Sequence, residues 1–154
     1  SKVFSPEDLN YIFSKLNLSD NVTSESLLYR IKELREICWK EVGVHRSNKG
    51  MNHALNKIKR DYLNISEQPL LRLLNDQSKE TCHVFDEEKR RDLNLLIDLN
   101  HRQLVSRLML QACLFRRESR GGHFRFDVPK TLPYWKCHSR QKINEDIFTR
   151  PVIE

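Results

Sequence analysis

Apolar residues recur at helical spacing through most of the chain. Leu27, Ile31, Leu34, Cys38 and Val42 are three or four positions apart, which predicts one buried stripe on a helix from residue 24 or 25 to 41. Gly43 follows and predicts the stop, in the left-handed C-terminal conformation that costs glycine least. Ser47 is placed to cap a second helix with a stripe of Met51, Leu55, Ile58, Tyr62 and Ile65. Pro69 should kink or end it, because proline lacks an N–H and clashes with the preceding turn. Leu70, Leu71, Leu73 and Leu74 beyond it can form one further turn. The longest helix is expected from about residue 86 to 117, with Leu93, Ile97, Leu104, Leu108, Ala112 and Phe115 as its stripe. Its second half, 104–115, is apolar over much of its circumference, so this helix should be central to a bundle. Asn100 and His101, set among those apolar positions, read as buried and hydrogen-bonded, since no convergent catalytic or ligand partner is visible.

Ahead of the long helices, Ser5, Pro6, Glu7 and Asp8 combine a hydroxyl cap, an N1 proline and first-turn acids. They predict a short leading helix to about Lys15, followed by a polar linker over 17–24. Residues 75–84 are polar and irregular and read as the connection into the longest helix. The expectation is therefore an all-α fold: a leading helix and linker over 1–23, a three-helix bundle of spectrin-like packing over 24–117, and an extended docking tail over 118–154.

Composition narrows the class. A chain of 154 residues, 38% hydrophobic, supports one substantial core. No apolar run approaches the roughly 20 residues that cross a bilayer, so no membrane partner is expected. The net charge of +6 comes from 27 basic and 21 acidic residues that are interspersed, and Glu lies beside both Lys89-Arg90-Arg91 and Arg116-Arg117. That is the pattern of a solvated surface, with no nucleic-acid partner expected. The start, Ser1-Lys2-Val3-Phe4, has neither an initiator Met nor a signal-peptide pattern and reads as the start of an excised piece. Cys38, Cys82, Cys113 and Cys137 have no paired spacing, which suits a reducing cytoplasm. Cys82-His83 and Cys137-His138 are adjacent pairs, whereas zinc ligands are spaced so that the chain can wrap the ion; no metal is expected.

Residues 116–129 are the most informative. Gly121-Gly122 invites a phosphate-loop reading, but the pair follows a helix C-terminus, where the orphan groups are carbonyls and the partial charge is negative. The glycines read instead as a helix stop and a tight backbone approach, with Arg116, Arg117 and Arg120 complementing the dipole. Phe124, Phe126 and Val128 alternate with His123, Arg125 and Asp127, the period of an extended segment with one packed and one polar face, ended by Pro129. Two uses remain open. Arg125 and Asp127 can be a surface ion pair worth about 1 kcal/mol or less, with His123 capping carbonyls. Alternatively Arg120, His123, Arg125 and Asp127 form a docking edge toward another domain, anchored by Trp135 with Tyr134 nearby.

The string Arg117-Glu118-Ser119-Arg120-Gly121-x-His123-x-Arg125-x-Asp127-x-Pro129 follows a Leu-rich helix and precedes Trp135 and His138. With the earlier Trp39-x-x-Val42-Gly43-Val44-x-Arg46-Ser47, it resembles the C-terminal helical domain of L-aspartate oxidases. These belong to the flavoprotein group that also holds the fumarate reductase and succinate dehydrogenase flavoprotein subunits. The resemblance runs from about 27 to 129; residues 1–21 and 76–85 match nothing, and Gly122 fills a variable position. The short tail with Trp135 resembles aspartate oxidase, and 136–154 lacks the longer ending of the respiratory subunits.

The resemblance implies an FAD enzyme that takes hydride from L-aspartate to give iminoaspartate, with oxygen or fumarate reoxidising the flavin and the product feeding NAD synthesis. It implies that the dinucleotide-binding glycines and the substrate-binding His and Arg residues lie in flavin-binding and capping domains of the same polypeptide. No catalytic, cofactor-binding or metal-binding residue is then expected in this chain, which alone would be inactive. Two other readings stand beside it: a stand-alone helical interaction module using Phe124, Phe126 and Trp135, and a basic nucleic-acid-binding domain using Arg90, Arg91, Arg116 and Arg117.

Overall fold

The computed structural model describes residues 22–69, 71–72, 87–142 and 145–152. The leading helix over 5–15, the linker over 17–21, Leu70, Leu73, Leu74, the connection over 75–84 and the Cys82-His83 pair lie outside them.

Three long helices carry the fold, as their spacing predicts. The first, α1 (Ser24–Val42), starts with a capping box: Thr23 Oγ1 accepts from the Ser26 N–H at 3.1 Å, and Ser26 Oγ accepts from the Thr23 N–H at 2.9 Å. Leu27, Leu34 and Val42 are buried, and Ile31 and Cys38 pack half-buried beside them. Gly43 ends the helix, but not in the left-handed conformation: its φ and ψ are −62° and −150°. A side chain is excluded there because a Cβ would overlap the Trp39 carbonyl oxygen. A two-residue strand, β1 (His45–Arg46), leads to α2 (Asn48–Ser66), whose cap is Ser47 accepting from the Gly50 N–H at 3.0 Å. Met51, Ala54, Leu55, Ile58 and Ile65 form its buried face. Tyr62 lies half-buried under the Arg107 guanidinium, 4.4 Å from the ring centre. The helix closes at Ser66, three residues before Pro69, and beyond it the N–H groups of Leu71 and Arg72 both bond the Gln68 carbonyl.

The longest helix is α3 (Glu87–Phe115), and it is rotated from the expected orientation. Its buried residues are Leu93, Leu96, Leu99, Gln103, Ser106 and Leu110; Leu104 and Leu108 are on the outside with Val105 and Met109. Because 104–115 is apolar on both sides, spacing alone could not choose between faces. Polar partners on the other helices chose. Gln103 Nε2 donates to Asp61 Oδ2 at 2.6 Å, Asp61 also pairs with Arg30 at 2.9 Å, and the Cys38 thiol donates to Ser106 Oγ at 3.3 Å. Those bonds allow two polar side chains into the core. His101 is exposed rather than buried, and Asn100 is half-buried with no protein partner for its Oδ1.

The helices pack all three ways around this core, giving the all-α three-helix bundle. After α3 come β2 (Phe124–Arg125), a 3-10 turn (Pro133–Trp135), and an antiparallel hairpin of β3 (Cys137–Arg140) and β4 (Phe148–Pro151). β2 pairs in parallel with β1, His45 facing Phe124 and Arg46 facing Arg125, which brings the segment after α3 onto the α1–α2 junction.

Candidate functional site

Three helix termini meet where β1 and β2 pair, each with orphan backbone groups to satisfy. Arg46, held in β1, donates from Nε to the Val42 carbonyl at the end of α1, 3.1 Å away. Arg125, held in β2, turns inward to the end of α3, where its Nη1 donates to the carbonyls of Cys113, Leu114 and Arg116 at 3.3, 3.2 and 3.1 Å. Asp127 answers at the start of α2, its carboxylate accepting from the Asn48 N–H at 3.1 Å. Arg125 and Asp127 close the circuit with a 2.5 Å ion pair. The Arg125 guanidinium beside it holds the Asp127 carboxyl below the usual range.

This departs from the expected faces of the segment at Arg125 and Phe126, while Asp127 stays exposed and His123, Phe124 and Val128 are half-buried. Arg125 is 2% exposed, whereas Phe126 is 62% exposed and stacks on His45 with ring centres 5.2 Å apart. The reason is the demand of α3's last carbonyls for buried donors, which a guanidinium meets with several N–H groups in one plane. The Arg125–Asp127 pair is accordingly buried at its arginine end and exposed at its carboxylate. Arg116, expected to serve the same dipole, reaches forward instead, to the carbonyls of Trp135 at 3.0 Å and Cys137 at 2.6 Å. The glycines differ too. Gly121, at φ 55° and six residues beyond the helix end, forms the turn of a tight hairpin in which Arg120 and His123 exchange backbone bonds. A Cβ at Gly122 would meet nothing, so no close backbone approach requires it.

His123 sits between two bonds that fix its state. Arg46 can only donate, so His123 Nδ1 accepts from it at 2.8 Å, and Nε2–H donates to the Arg116 carbonyl at 3.3 Å. His123 thus does cap a carbonyl, as a neutral ring. Burial, and then the nearby charges of Arg46, Arg125 and Arg116, push its pKa down.

A second cluster surrounds Glu118, whose side chain is fully buried. It accepts from Arg120 Nε at 2.8 Å and Nη2 at 3.1 Å, from Arg116 Nη1 at 2.5 Å and from the Leu132 N–H at 2.9 Å. Arg120's bond, followed by those of Leu132 and Arg116, outweighs burial and lowers its pKa to about 2. Ser119 joins the clusters: its Oγ accepts from the Arg125 N–H at 2.9 Å and donates to the Val128 carbonyl at 2.8 Å. Trp135 packs edge-on against Phe115, 5.5 Å between ring centres, with the Arg116 guanidinium over its face. Arg120 and Trp135 therefore belong to the Glu118 cluster, and His123, Arg125 and Asp127 to the three-helix junction. Arg46, Glu118 and Ser119 are not singled out by residue type or spacing. All three stand inside the quoted motifs, but only the folded chain shows what they hold.

Arg90 and Arg91 open α3 while Arg116 and Arg117 follow its end, about 26 residues or roughly 40 Å apart along a helix. Arg116 is moreover turned inward, so these four arginines do not form one basic patch. Among the described residues no group of His, Cys, Asp and Glu is placed to hold a metal, and no helix is long and apolar enough to cross a membrane.

Residues 31–152 match the family model of the fumarate reductase flavoprotein C-terminal domain. The chain is 31% identical over 129 residues to an L-aspartate oxidase of Nostoc sp., covering 81% of this chain and 22% of that protein. It is 33% identical over 101 residues to the Pseudomonas aeruginosa L-aspartate oxidase, covering 66% and 15%. It is 30% identical over 106 residues to one of the polypeptides of the CoM/CoB fumarate reductase of Methanothermobacter marburgensis, covering 68% and 17%. The chain spans about a fifth of the length of these relatives. It belongs to the fumarate reductase flavoprotein C-terminal family.

Proposed function

From that membership we propose that the chain is the C-terminal helical domain of an FAD-dependent L-aspartate oxidase, converting L-aspartate to iminoaspartate as the first step of NAD biosynthesis, with oxygen or fumarate as electron acceptor. The observation that supports it most is the match over 31–152 together with the oxidases of Nostoc and Pseudomonas aeruginosa. The free thiols of Cys38, Cys113 and Cys137 are in keeping with a reducing, cytoplasmic setting.

The chain's own part in this proposal is structural. FAD does not fit the described residues: Gly121-Gly122 opens no helix, and the N-terminus of α2 is already taken by Ser47 and the Asp127 carboxylate. The flavin and the substrate would be held by the flavin-binding and capping domains, and this bundle would pack against them. In that role His123, Arg125, Asp127 and Trp135 shape the docking tail from within. Arg120, whose guanidinium is partly exposed while bound to Glu118, would be the one to meet a neighbouring domain.

Purified full-length polypeptide should carry flavin absorbance that L-aspartate bleaches anaerobically, and the 154-residue chain should show neither. Bleaching by succinate but not by aspartate would move the parent to the respiratory branch. Arg120→Ala in the full-length protein should lower flavin retention more than the rate of flavin reduction; the opposite split would make Arg120 catalytic.

A further inference from the structure

We propose that the outward strip of α3, formed by Leu104, Val105, Leu108 and Met109, is the surface on which the flavin-binding part of the polypeptide sits. The inference rests on the functional reading above and specifies the face involved. These four side chains are 38%, 61%, 41% and 41% exposed and lie at helical spacings of one, three and four, so they form one continuous apolar strip along about a turn and a half of helix. The opposite side of the same turns, Gln103, Ser106 and Leu110, is fully taken up by α1 and α2. A helix apolar on both sides is the composition of one covered on both sides, and among the described residues only its inner side is covered.

The surroundings fit an interdomain contact. One end of the strip is edged by the Asp98–Arg102 pair, 2.8 Å apart on the same helix. Beside it runs the C-terminal hairpin, tied on by Gln141 Nε2 donating to the Leu108 carbonyl at 3.1 Å. Arg140, next to Gln141, is exposed and has no acidic partner among the described residues, and Arg150 lies over the Phe148 ring. An apolar centre with a charged margin is the anatomy of a protein interface, and the margin here suits an apolar surface edged with carboxylates. The occupant follows from length: this chain makes up only 22%, 17% and 15% of three relatives, in a family named for the C-terminal region, so most of such a polypeptide lies outside it.

Cysteine labelling in the full-length polypeptide tests this. Val105→Cys and, as an exposed helical control, Lys59→Cys are treated with a maleimide, and each rate is read by mass spectrometry of the peptide concerned. The Val105→Cys thiol should react about tenfold or more slowly than the control. Similar rates in a full-length protein that holds flavin overturn the docking inference and leave the functional reading standing. A full-length protein that holds no flavin overturns the functional reading itself. Protection that vanishes when residues 1–21 are deleted, or on dilution to a monomer, also overturns the inference, assigning the strip to the leading segment or to a second copy.

Discussion

Arg125 is 2% exposed and Val105 is 61% exposed, the reverse of what their transfer from water would favour. Each exception has a distinct cause. Arg125 is inside because the last turn of α3 and the residue just after it present three carbonyls to its guanidinium, and its charge is balanced by Asp127. Val105 is outside because the inner face of α3 is already filled by Leu99, Gln103, Ser106 and Leu110. The motif proposed as a docking edge also ties three helix ends together, and the helix expected to be central leaves one apolar side exposed among the described residues. The lesson is that composition identifies segments under unusual constraint without telling which way they point.

The contrast can be broken most severely at its buried end. Arg125→Met should cost about 4 kcal/mol in urea unfolding, because three carbonyls lose its donors and the partly buried Asp127 carboxylate loses its counter-charge. Arg125→Lys should recover only part of that, since an ammonium cannot reproduce the planar fork. A loss under about 1 kcal/mol for Arg125→Met would mean the clamp adds no more than an exposed pair.

Glu118→Gln should be next, at roughly 2 to 3 kcal/mol, since two guanidinium groups lose their shared counter-charge. The acid limb sharpens it. Glu118 titrates at about 2 when folded against an ordinary 4.5, so the unfolded chain binds its proton first as pH falls. Its contribution is complete above pH 4.5 and is lost on descending to about 2; Glu118→Gln should flatten that part of the stability profile.

His123 gives a smaller effect at milder pH. Its folded pKa lies below the ordinary 6.5, so the unfolded state takes up the proton more readily and stability declines as pH falls below 6.5. His123→Asn should reduce that slope, and an NMR titration showing a pKa above 6.5 would contradict the two bonds that hold the ring neutral. The smallest effect belongs to the exposed end. Met109→Gln in the 154-residue chain should change stability by no more than about 0.5 kcal/mol. A loss several times larger would show that the strip is covered within the chain and would dissolve the contrast.

The bundle was largely legible in the sequence because helix stripes and caps are local. Leu27 through Val42 and Met51 through Ile65 mark their inward faces with one apolar side each, and Ser47 caps where expected. The site was legible only as a string. Arg120, His123, Arg125, Asp127 and Trp135 stood out by type and order, yet His123, Arg125 and Asp127 find their partners in the Arg46 side chain, the end of α3 and the start of α2, which adjacency in sequence does not reveal. Gly43 shows the same limit at one residue: glycine is required there, for a close approach to the Trp39 carbonyl and not for a left-handed turn.

The sequence by itself determined that α1, α2 and the long α3 exist and roughly where they start and stop, since periodicity, caps and breakers act within a few residues. Tertiary structure decided which side of α3 faces in, and whether a charged or an aromatic side chain of the 123–128 segment is buried. Those choices depend on which polar groups find partners across the fold: Asp61 for Gln103, and the end of α3 for Arg125. The energy of a buried polar group is set by its partner, and the partner is known only once the helices have met.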